Sequence, residues 1–517
     1  MNKNNVIKII IAFLALALIV FVVYFMKSDV VEQVVGNIIS SSDFDDNNNS
    51  YNTETATYIT LNGSDVTVDN GVAKVEKNSI TLQAEGIYVF TGNYTGTIKV
   101  ESKANIRIVL NGVTINSEDG PAIYVLNAKK TIITVVENTT NTLTDTTKYS
   151  DEESTATIYS KDDIVFNGTG TLNVEGNYQD GIVGKDDLKI VSGVYNIKAM
   201  NNALKGKDSV EIVDGEFTLD AENDSIKSTN DEDTAKGYIV IHNGIFNITA
   251  GHDGIQAETT LTIENGTFDI VSGDGSSRSN VSASSNNDMF FMRGQWGQQT
   301  TTEEDTGSFR GIKASGNIII QNGTFTIDSA DDAIHSDSDI TIKNGNIKID
   351  SGDDGIHADG MLQIDNGTIG ITAHEGIEAT YVKINDGTIT ISATDDGINA
   401  GNKSSAYDTT IEINGGNITI KMGSGDTDGI DSNGNIYING GTIDITGNSP
   451  FDYDGEAKYN GGTIIVNGTG TNSITNQFGG QMGVQQGGIM NNMQQGQIPQ
   501  GDQQMNQGIM QQGQRGR

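Results

Sequence analysis

A short unit recurs through the chain and reads Asp332-Ala333-Ile334-His335-Ser336, Asp354-Gly355-Ile356-His357-Ala358, Glu375-Gly376-Ile377-Glu378-Ala379 and Asp396-Gly397-Ile398-Asn399-Ala400. These copies are spaced by 22, 21 and 21 residues. Further copies have their central apolar residue at Ile182, Leu204, Ile226, Ile255, Ile312 and Ile430, and weaker copies lie near Ile123 and Ile158. A repeat of this period is typical of a solenoid, in which each unit packs only on its neighbours.

Each unit contains three short stretches in which apolar and polar residues alternate, the pattern of strands with one buried face. Turns such as Asn344-Gly345 and Asn366-Gly367 separate them, because glycine tolerates the positive φ of a tight turn. Three strands per unit of about 22 residues predict an all-β fold, a right-handed parallel β-helix, over residues 57–472. We expect the central apolar residues to stack in its core and residues 58–116 to form its N-terminal cap.

Composition excludes several classes of protein. The 517 residues include no cysteine, so disulfide-stapled folds and Cys-ligated metal sites are impossible. There are 31 Lys+Arg against 68 Asp+Glu, a net charge of -37, and nucleic-acid binding requires the opposite balance. The plausible partners are metal cations, polycations and neutral surfaces.

The two ends differ from the repeats. Residues 9–26 are an uninterrupted apolar run flanked by lysines, which predicts that residues 1–28 are an uncleaved signal anchor spanning a bacterial cell membrane, with the rest outside. A cleaved secretory signal is the alternative. Residues 29–56 are polar and are predicted to be a linker, and residues 473–517, rich in Gln, Gly and Met, a disordered tail.

Carboxylates recur just before the core positions and predict calcium sites. In a parallel stack such side chains lie about 4.8 Å apart, where like charges destabilise a sheet unless a cation with oxygen ligands lies between them. The alternative is that each aspartate only forms a solvated turn before glycine. The predicted metal ligands are Asp253, Asp274, Asp331, Asp332, Asp353, Asp354, Glu375, Asp395, Asp396 and Asp428.

The residue after each core position faces outward and predicts a carbohydrate-binding strip. Lysines and histidines gather there in an otherwise acidic protein, and they could receive the carboxylates of an acidic polysaccharide or simply pair with neighbouring acids. A zinc site at the two histidines is a further alternative, although no third nitrogen or sulfur ligand is evident. Residues 274–309 form an insertion with the only tryptophan, which could stack on sugars or belong to a surface loop. The predicted carbohydrate-binding residues are Lys205, Lys227, Lys313, His335, His357 and Trp296.

The repeated D-D-[GA]-I-[HN]-[AS] unit, with N-G-T-[IF]-x-I between copies, resembles the β-helical carbohydrate-binding domain family of clostridial and related surface proteins. This resemblance covers residues 57–472. It implies a polysaccharide lyase-like architecture, calcium as a cofactor and binding of acidic or cellulose-like polymers without established catalysis. It also implies that Asp331, Asp332, Asp353, Asp354, Asp395 and Asp396 match the calcium-binding pattern.

The sequence therefore predicts a surface-anchored, calcium-dependent and non-catalytic polysaccharide-binding protein. A calcium-dependent pectate lyase is the first alternative, with Lys313, Lys227 or Lys205 as the base that removes a proton by β-elimination. A structural surface rod or adhesin is the second alternative.

Overall fold

The computed structural model describes residues 39–278, 307–424 and 427–476, and almost all of their regular structure is β-strand. Equivalent strands of successive units pair in parallel, as in Ile334 with Ile356 and Ile356 with Ile377. Each turn of the coil, here called a rung, contributes one strand to each of three parallel sheets. The all-β prediction and the parallel pairing of the repeats are confirmed, and the right hand of the coil stays a prediction.

Sheet 1 contains the strands with the central apolar residue of each unit. Its members are Ser79–Leu82, Thr97–Glu101, Ile123–Asn127, Ala156–Ser160, Asp180–Gly184, Leu204–Gly206, Ile226–Ser228, Ile255–Ala257, Ile312–Ala314, Ile334–Ser336, the first parts of Asp354–Ile364 and Glu375–Ile384, Ile398–Ala400, Asp428–Ser432 and Ser449–Tyr453.

Sheet 2 follows sheet 1 along each rung. Its members are Thr57–Gly63, Gly86–Thr95, Asn105–Asn116, Lys130–Val135, Ile164–Gly168, Asp187–Ile190, Ser209–Ile212, Tyr238–Ile241, Leu261–Ile263, Ile318–Ile320, Ile340–Ile342, the second parts of Asp354–Ile364 and Glu375–Ile384, Thr410–Ile413, Asn435–Ile438 and Ala457–Tyr459.

Sheet 3 closes each rung. It begins with the ends of Gly86–Thr95 and Asn105–Asn116 and continues with Thr140–Thr144, Thr171–Gly176, Val194–Ala199, Glu216–Ala221, Ile245–Ala250, Thr267–Ser272, Thr324–Ser329, Asn346–Ser351, Thr368–Ala373, Thr388–Ala393, Asn417–Met422, Thr442–Thr446 and Thr463–Val466. Three strands, Asp65–Asp69, Lys74–Glu76 and Thr469–Thr471, pair antiparallel at the ends, and two 3-10 helices span Ser41–Phe44 and Ser276–Arg278.

The core is built from columns of identical or similar side chains. The predicted central residues, from Ile182 to Ile430, are fully buried. Sheet 3 adds a column of aromatic rings stacked 4.6–5.2 Å apart, formed by Tyr195, Phe217, Phe246, Phe268 and Phe325. Burying such side chains contributes about 1.5–3 kcal/mol each, which allows a glycine-rich chain to fold. The register also survives the insertion, because Ile255 pairs with Ile312.

Residues 39–56, which belong to the range predicted as a linker, lie against the β-helix. The fully buried Arg107 donates hydrogen bonds to the carbonyl oxygens of Ser50 at 2.6 Å and Asn48 at 2.5 Å. Lys130 pairs with Asp46 at 2.5 Å. This docking covers the outer face of sheet 2, because Arg107 and Lys130 both belong to that sheet.

The predicted signal anchor, residues 1–28, and most of the predicted tail lie outside the described residues. Within the described ranges no helix has the length and apolar character needed to span a membrane.

Candidate functional site

An aspartate column runs along the start of sheet 1, and its carboxylates bond to the backbone of the next rung. In each case one carboxylate oxygen, Oδ1, accepts the N–H of the equivalent residue one rung further along. The pairs are Asp180 with Asn202 at 3.0 Å, Asp224 with Asp253 at 2.9 Å, Asp253 with Arg310 at 2.8 Å, Asp332 with Asp354 at 3.1 Å and Asp396 with Asp428 at 3.0 Å. The column therefore has a structural role that the repeat alone did not indicate.

From Asp180 to Asp354 the second carboxylate oxygen, Oδ2, contacts a cation of the protein. The partner comes either from the same rung, three residues later, or from a neighbouring rung. The contacts are Asp180 with Lys205 at 3.4 Å, Asp224 with Lys227 at 2.6 Å, Asp253 with Lys313 at 3.9 Å, Asp332 with Arg310 at 3.1 Å and His335 at 2.7 Å, and Asp354 with His357 at 2.6 Å. We call this stretch the compensated half of the column.

His335 and His357 form a stacked pair inside the compensated half, with ring centroids 4.8 Å apart. His357 has Asp354 and Glu378 at Nδ1, at 2.6 and 3.0 Å, and Asp359 at Nε2, at 3.3 Å. Burial lowers the pKa of His357, but its hydrogen bonds with Asp354 and Glu378 outweigh burial and raise that pKa to about 11. Both ring nitrogens of His357 thus face carboxylates, which suits an imidazolium. Ligand atoms of Asp332, His335 and His357 lie within 4.8 Å of one another, as do those of Asp354, His357 and Glu378.

Beyond His357 the carboxylates of the column continue, and the next cation, Lys403, pairs with Glu378 at 3.0 Å. We call Glu375, Asp395, Asp396 and Asp431, which have no ion-pair partner among the described residues, the uncompensated half. Burial, with the charges of Asp395, Asp431 and Glu375, raises the pKa of Asp396 to about 7. Burial and then Asp428 raise the pKa of Asp431 to about 6. Among the described residues no Lys, Arg or His side chain forms an ion pair with either of them.

A buried amide oxygen lies in the same region. Asn399 donates through Nδ2 to Glu375 at 3.1 Å and to Glu378 at 3.4 Å. Its Oδ1 is buried and has no hydrogen-bond partner among the described residues. A buried acceptor left unpaired costs free energy, so this oxygen fits a position beside a cation.

The predicted metal ligands are thus only partly brought together. Ligand atoms of Asp331, Asp332 and Asp353 lie within 4.8 Å of one another, as do those of His374, Glu375 and Asp395. Asp274, in contrast, has a side chain that is 81% exposed and pairs with Arg278. Trp296 and residues 279–306 of the insertion lie outside the described residues.

The predicted carbohydrate-binding lysines lie on the outer face of sheet 1 but are engaged with carboxylates. The side chains of Lys205, Lys227 and Lys313 are 24%, 23% and 18% exposed, and each contacts an aspartate of the column. The sequence analysis left this pairing open as the alternative, and one signal in the sequence pointed to it. The residue three positions after the column position is a cation in five rungs of the compensated half and is Val183 or Gln256 in two others. In the other half it is Glu378, Asn399 or Asp431. The five cations are Lys205, Lys227, Lys313, His335 and His357.

A groove of about 1000 Å³ follows the Asn-Gly turns between sheets 2 and 3. From Asn243 to Thr368 its lining is uncharged. The amides of Asn265, Asn322 and Asn344 each donate to the asparagine of the preceding rung at 3.1 Å. The floor of this groove requires glycine. At Gly244, where φ is 139°, a Cβ atom would lie only 2.8 Å from the ring of Phe246.

Comparison with known proteins finds one family profile, one relative and one solved structure that are similar to this chain. A profile described as carbohydrate-binding domain-containing protein matches residues 76–355 and 353–477. A carbohydrate-binding domain-containing protein of Acetivibrio thermocellus is 35% identical over 133 residues, which are 24% of this chain and 46% of that relative. The chain thus spans about half the length of this curated relative.

A solved structure, described as the polysaccharide lyase-like protein from C. thermocellum in a gadolinium derivative, is 26% identical with a TM-score of 0.39 and covers 60% of this chain and 96% of its own. The family profile matches well over half of the chain. The protein therefore belongs to the carbohydrate-binding domain-containing family.

Proposed function

We propose that the protein binds acidic polysaccharide through calcium held by the uncompensated half of the aspartate column. This proposal rests on the partners of the two carboxylate oxygens of Asp396. One of its oxygens bonds the next rung, as elsewhere in the column, whereas the other has no protein cation among the described residues. A calcium ion supplies the charge that lysine or histidine supplies in the compensated half.

The ligand types present suit calcium, and ligand atoms of Glu375 and Asp395 lie within 4.8 Å of each other. Asp396, Asp395, Asp431 and Glu375 offer carboxylate oxygens and Asn399 offers a buried amide oxygen, and hard cations prefer this ligand type. When bound, calcium neutralises the buried carboxylates and adds positive charge that a sugar carboxylate can approach. The protein's own carboxylates and the Asn399 amide hold the ion in this proposal.

Cellulose-like neutral chains are the second ligand class in this proposal, and the Asn-Gly groove supports them. The groove has no charged lining from Asn243 to Thr368, which spans five rungs or about 24 Å. Amide and hydroxyl groups recur there once per rung, and these can hydrogen-bond to sugar hydroxyls.

Binding is favoured over β-elimination because the candidate bases are already in use. Lys227 and Lys205 each lie against a carboxylate of the column, and Lys313 lies 3.9 Å from Asp253. A purely structural surface role predicts no soluble ligand and is tested by the same experiment. Attachment to the cell membrane is part of the proposal and rests on the apolar run 9–26.

The test uses the full-length chain in mild detergent with polygalacturonate and, separately, with insoluble cellulose. Depletion of protein from solution and ultraviolet absorbance of unsaturated sugars are measured with calcium and with chelator. We expect calcium-dependent retention on polygalacturonate without a rise in absorbance.

Variants locate the site. Asp396→Asn with Asp431→Asn should abolish the calcium-dependent part of polygalacturonate binding, whereas Asp269→Asn with Asp274→Asn should not. Rising absorbance would establish a lyase instead. Retention that is identical in chelator and calcium would refute calcium dependence.

A further inference from the structure

A column of Asn-Gly pairs lines the groove between sheets 2 and 3, and an Asp-Gly pair stands at each end of the column. The pairs are in register, because the residue after each glycine donates its N–H to the glycine carbonyl of the preceding rung, as Thr368 does to Gly345 and Thr388 to Gly367, both at 2.8 Å. Asparagine before glycine is prone to lose its side-chain amide, because glycine has no Cβ to hinder attack by its backbone nitrogen. The first residues of the pairs are Asp214, Asn243, Asn265, Asn322, Asn344, Asn366 and Asp386.

Four of the asparagines form a hydrogen-bonded ladder along the column. Each donates through Nδ2 to the side-chain oxygen of the preceding rung, at 3.2 Å for Asn243 and at 3.1 Å for Asn265, Asn322 and Asn344. A side chain in the ladder must give up one or two of these hydrogen bonds before its Cγ can turn towards the nitrogen of its own glycine. The ladder therefore protects these four amides.

Asn366 lies outside the ladder, and its side chain is turned to its own glycine. Its Oδ1 accepts the N–H of Gly367 at 2.8 Å, and its Nδ2 has no hydrogen-bond partner among the described residues. The amide carbon of Asn366 is thus already beside the backbone nitrogen of Gly367, and the side chain is exposed to water. Local sequence does not set Asn366 apart, because Asn265 and Asn322 are also followed by Gly and Thr.

The aspartates at the two ends of the column show that an acid fits the position of Asn366. Asp214 accepts the N–H of its own glycine at 3.0 Å, and Asp386 does so at 2.8 Å, as Asn366 does. An aspartate at position 366 can keep this hydrogen bond, and its carboxylate then lies one rung, about 4.8 Å, from that of Asp386. The uncharged lining of the groove would end one rung earlier.

We propose that Asn366 is a site of spontaneous deamidation and the first asparagine of this column to react. The backbone nitrogen of Gly367 gives its proton to hydroxide and bonds to Cγ of Asn366, and the Cγ–Nδ2 bond breaks as the amide nitrogen takes a proton from water and leaves as ammonia. Water then opens the five-membered imide at either carbonyl, which gives aspartate or isoaspartate. Overall one water is consumed and one ammonia is released, and nothing is oxidised or reduced. This inference is independent of the proposed polysaccharide and of calcium.

The experiment incubates the full-length chain in detergent at mildly alkaline pH in heavy-oxygen water, and peptide mass spectrometry follows the acid formed at each Asn-Gly pair. We expect Asn366 to deamidate about fivefold or more faster than Asn265 and Asn322, which must first break ladder hydrogen bonds. These two asparagines are matched internal controls, because they share the Asn-Gly-Thr triplet. In a chain unfolded by guanidinium chloride the ladder is absent, and the three asparagines should react at similar rates.

A variant tests the protection by the ladder directly. Asn265→Ser removes the acceptor of the Asn322 amide, so it should speed deamidation at Asn322 and leave the rate at Asn366 unchanged. The proposal is overturned if Asn265 or Asn322 reacts as fast as Asn366 in the folded wild type, or if Asn366 stays intact there. It is also overturned if Asn366 keeps the same lead in the unfolded chain, because local sequence would then be the cause. An unchanged rate at Asn322 in the variant would refute protection by the ladder.

Discussion

The two halves of the aspartate column share a backbone arrangement and differ in charge balance. Asp332 and Asp396 each use one oxygen for the next rung's N–H. The other oxygen of Asp332 meets Arg310 and His335, whereas Asp396 has no such partner among the described residues. The comparison teaches that the repeated aspartate is a structural element, and that the residue three positions later decides whether the rung supplies its own cation.

We expect the largest difference between the two halves when a carboxylate is removed from the compensated half, because the free energy of unfolding should then fall most. Asp332→Ala leaves Arg310 and His335 without their shared partner and the Asp354 N–H without its acceptor. We expect a loss of about 3–5 kcal/mol in the free energy of unfolding, measured with urea. Asp396→Ala, measured in chelator, should cost clearly less because it leaves no protein cation unpaired. Equal losses would mean that the two halves do not differ.

The stacked histidines provide a pH test of the compensated half. Because the pKa of His357 is raised to about 11, the stability that its imidazolium contributes is fully present below about pH 6.5 and is lost as pH rises toward 11. Between pH 7 and 9 the wild type should lose about 2.7 kcal/mol more than His357→Gln does. Unfolding at a series of pH values measures this difference. His242→Gln is the control, and the His357 assignment is wrong if both variants flatten the profile alike.

Calcium should act on the uncompensated half alone. At ten times its dissociation constant, calcium should stabilise the wild type by about 1.4 kcal/mol, read as a rise in melting temperature. Asp396→Asn with Asp431→Asn should abolish the rise, whereas Asp332→Asn should retain it. The reverse pattern would place the ion at Asp331, Asp332 and Asp353.

The smallest expected effect comes from converting one half into the other. Asn399→Lys places a cation three residues after Asp396, as Lys227 follows Asp224 at 2.6 Å. In chelator the variant should be more stable by about 1 kcal/mol, and its calcium affinity should fall. Asn196→Lys, at an exposed position of sheet 3, is the control for added charge. A destabilised variant with unchanged calcium affinity would contradict the proposed exchange of lysine for calcium.

The fold was largely predictable because its signals are local and periodic. Alternating apolar residues and the recurring Asp-Gly-Ile unit are readable without knowing any contact, and the buried column from Ile182 to Ile430 follows from them. The docking of residues 39–56 was not predictable, because Arg107 reaches Ser50 across 57 residues and composition alone describes that segment as a linker.

The candidate site was predictable in its residue types and less so in its partners. The sequence indicated stacked carboxylates and outward lysines. It could not show that Lys313 forms an ion pair with Asp253, because the insertion separates the two residues in the chain. Nor did it indicate that a carboxylate oxygen binds the next rung's N–H, since this depends on where the strand begins relative to its neighbour. The calcium sites and the carbohydrate-binding residues stay predictions.

The carboxylate-to-backbone bonds also bear on how such a chain can change in length during evolution. Asp253 accepts from the N–H of Arg310 in the rung after it, and its own N–H donates to Asp224 in the rung before it. A duplicated unit of this kind therefore contains both the carboxylate acceptor and the backbone N–H donor. Inserting it leaves neither group without a partner in the rungs on either side. Growth or loss by whole units of about 22 residues is accordingly tolerated, whereas a change of one residue within a strand would turn every following side chain of that strand to the wrong face.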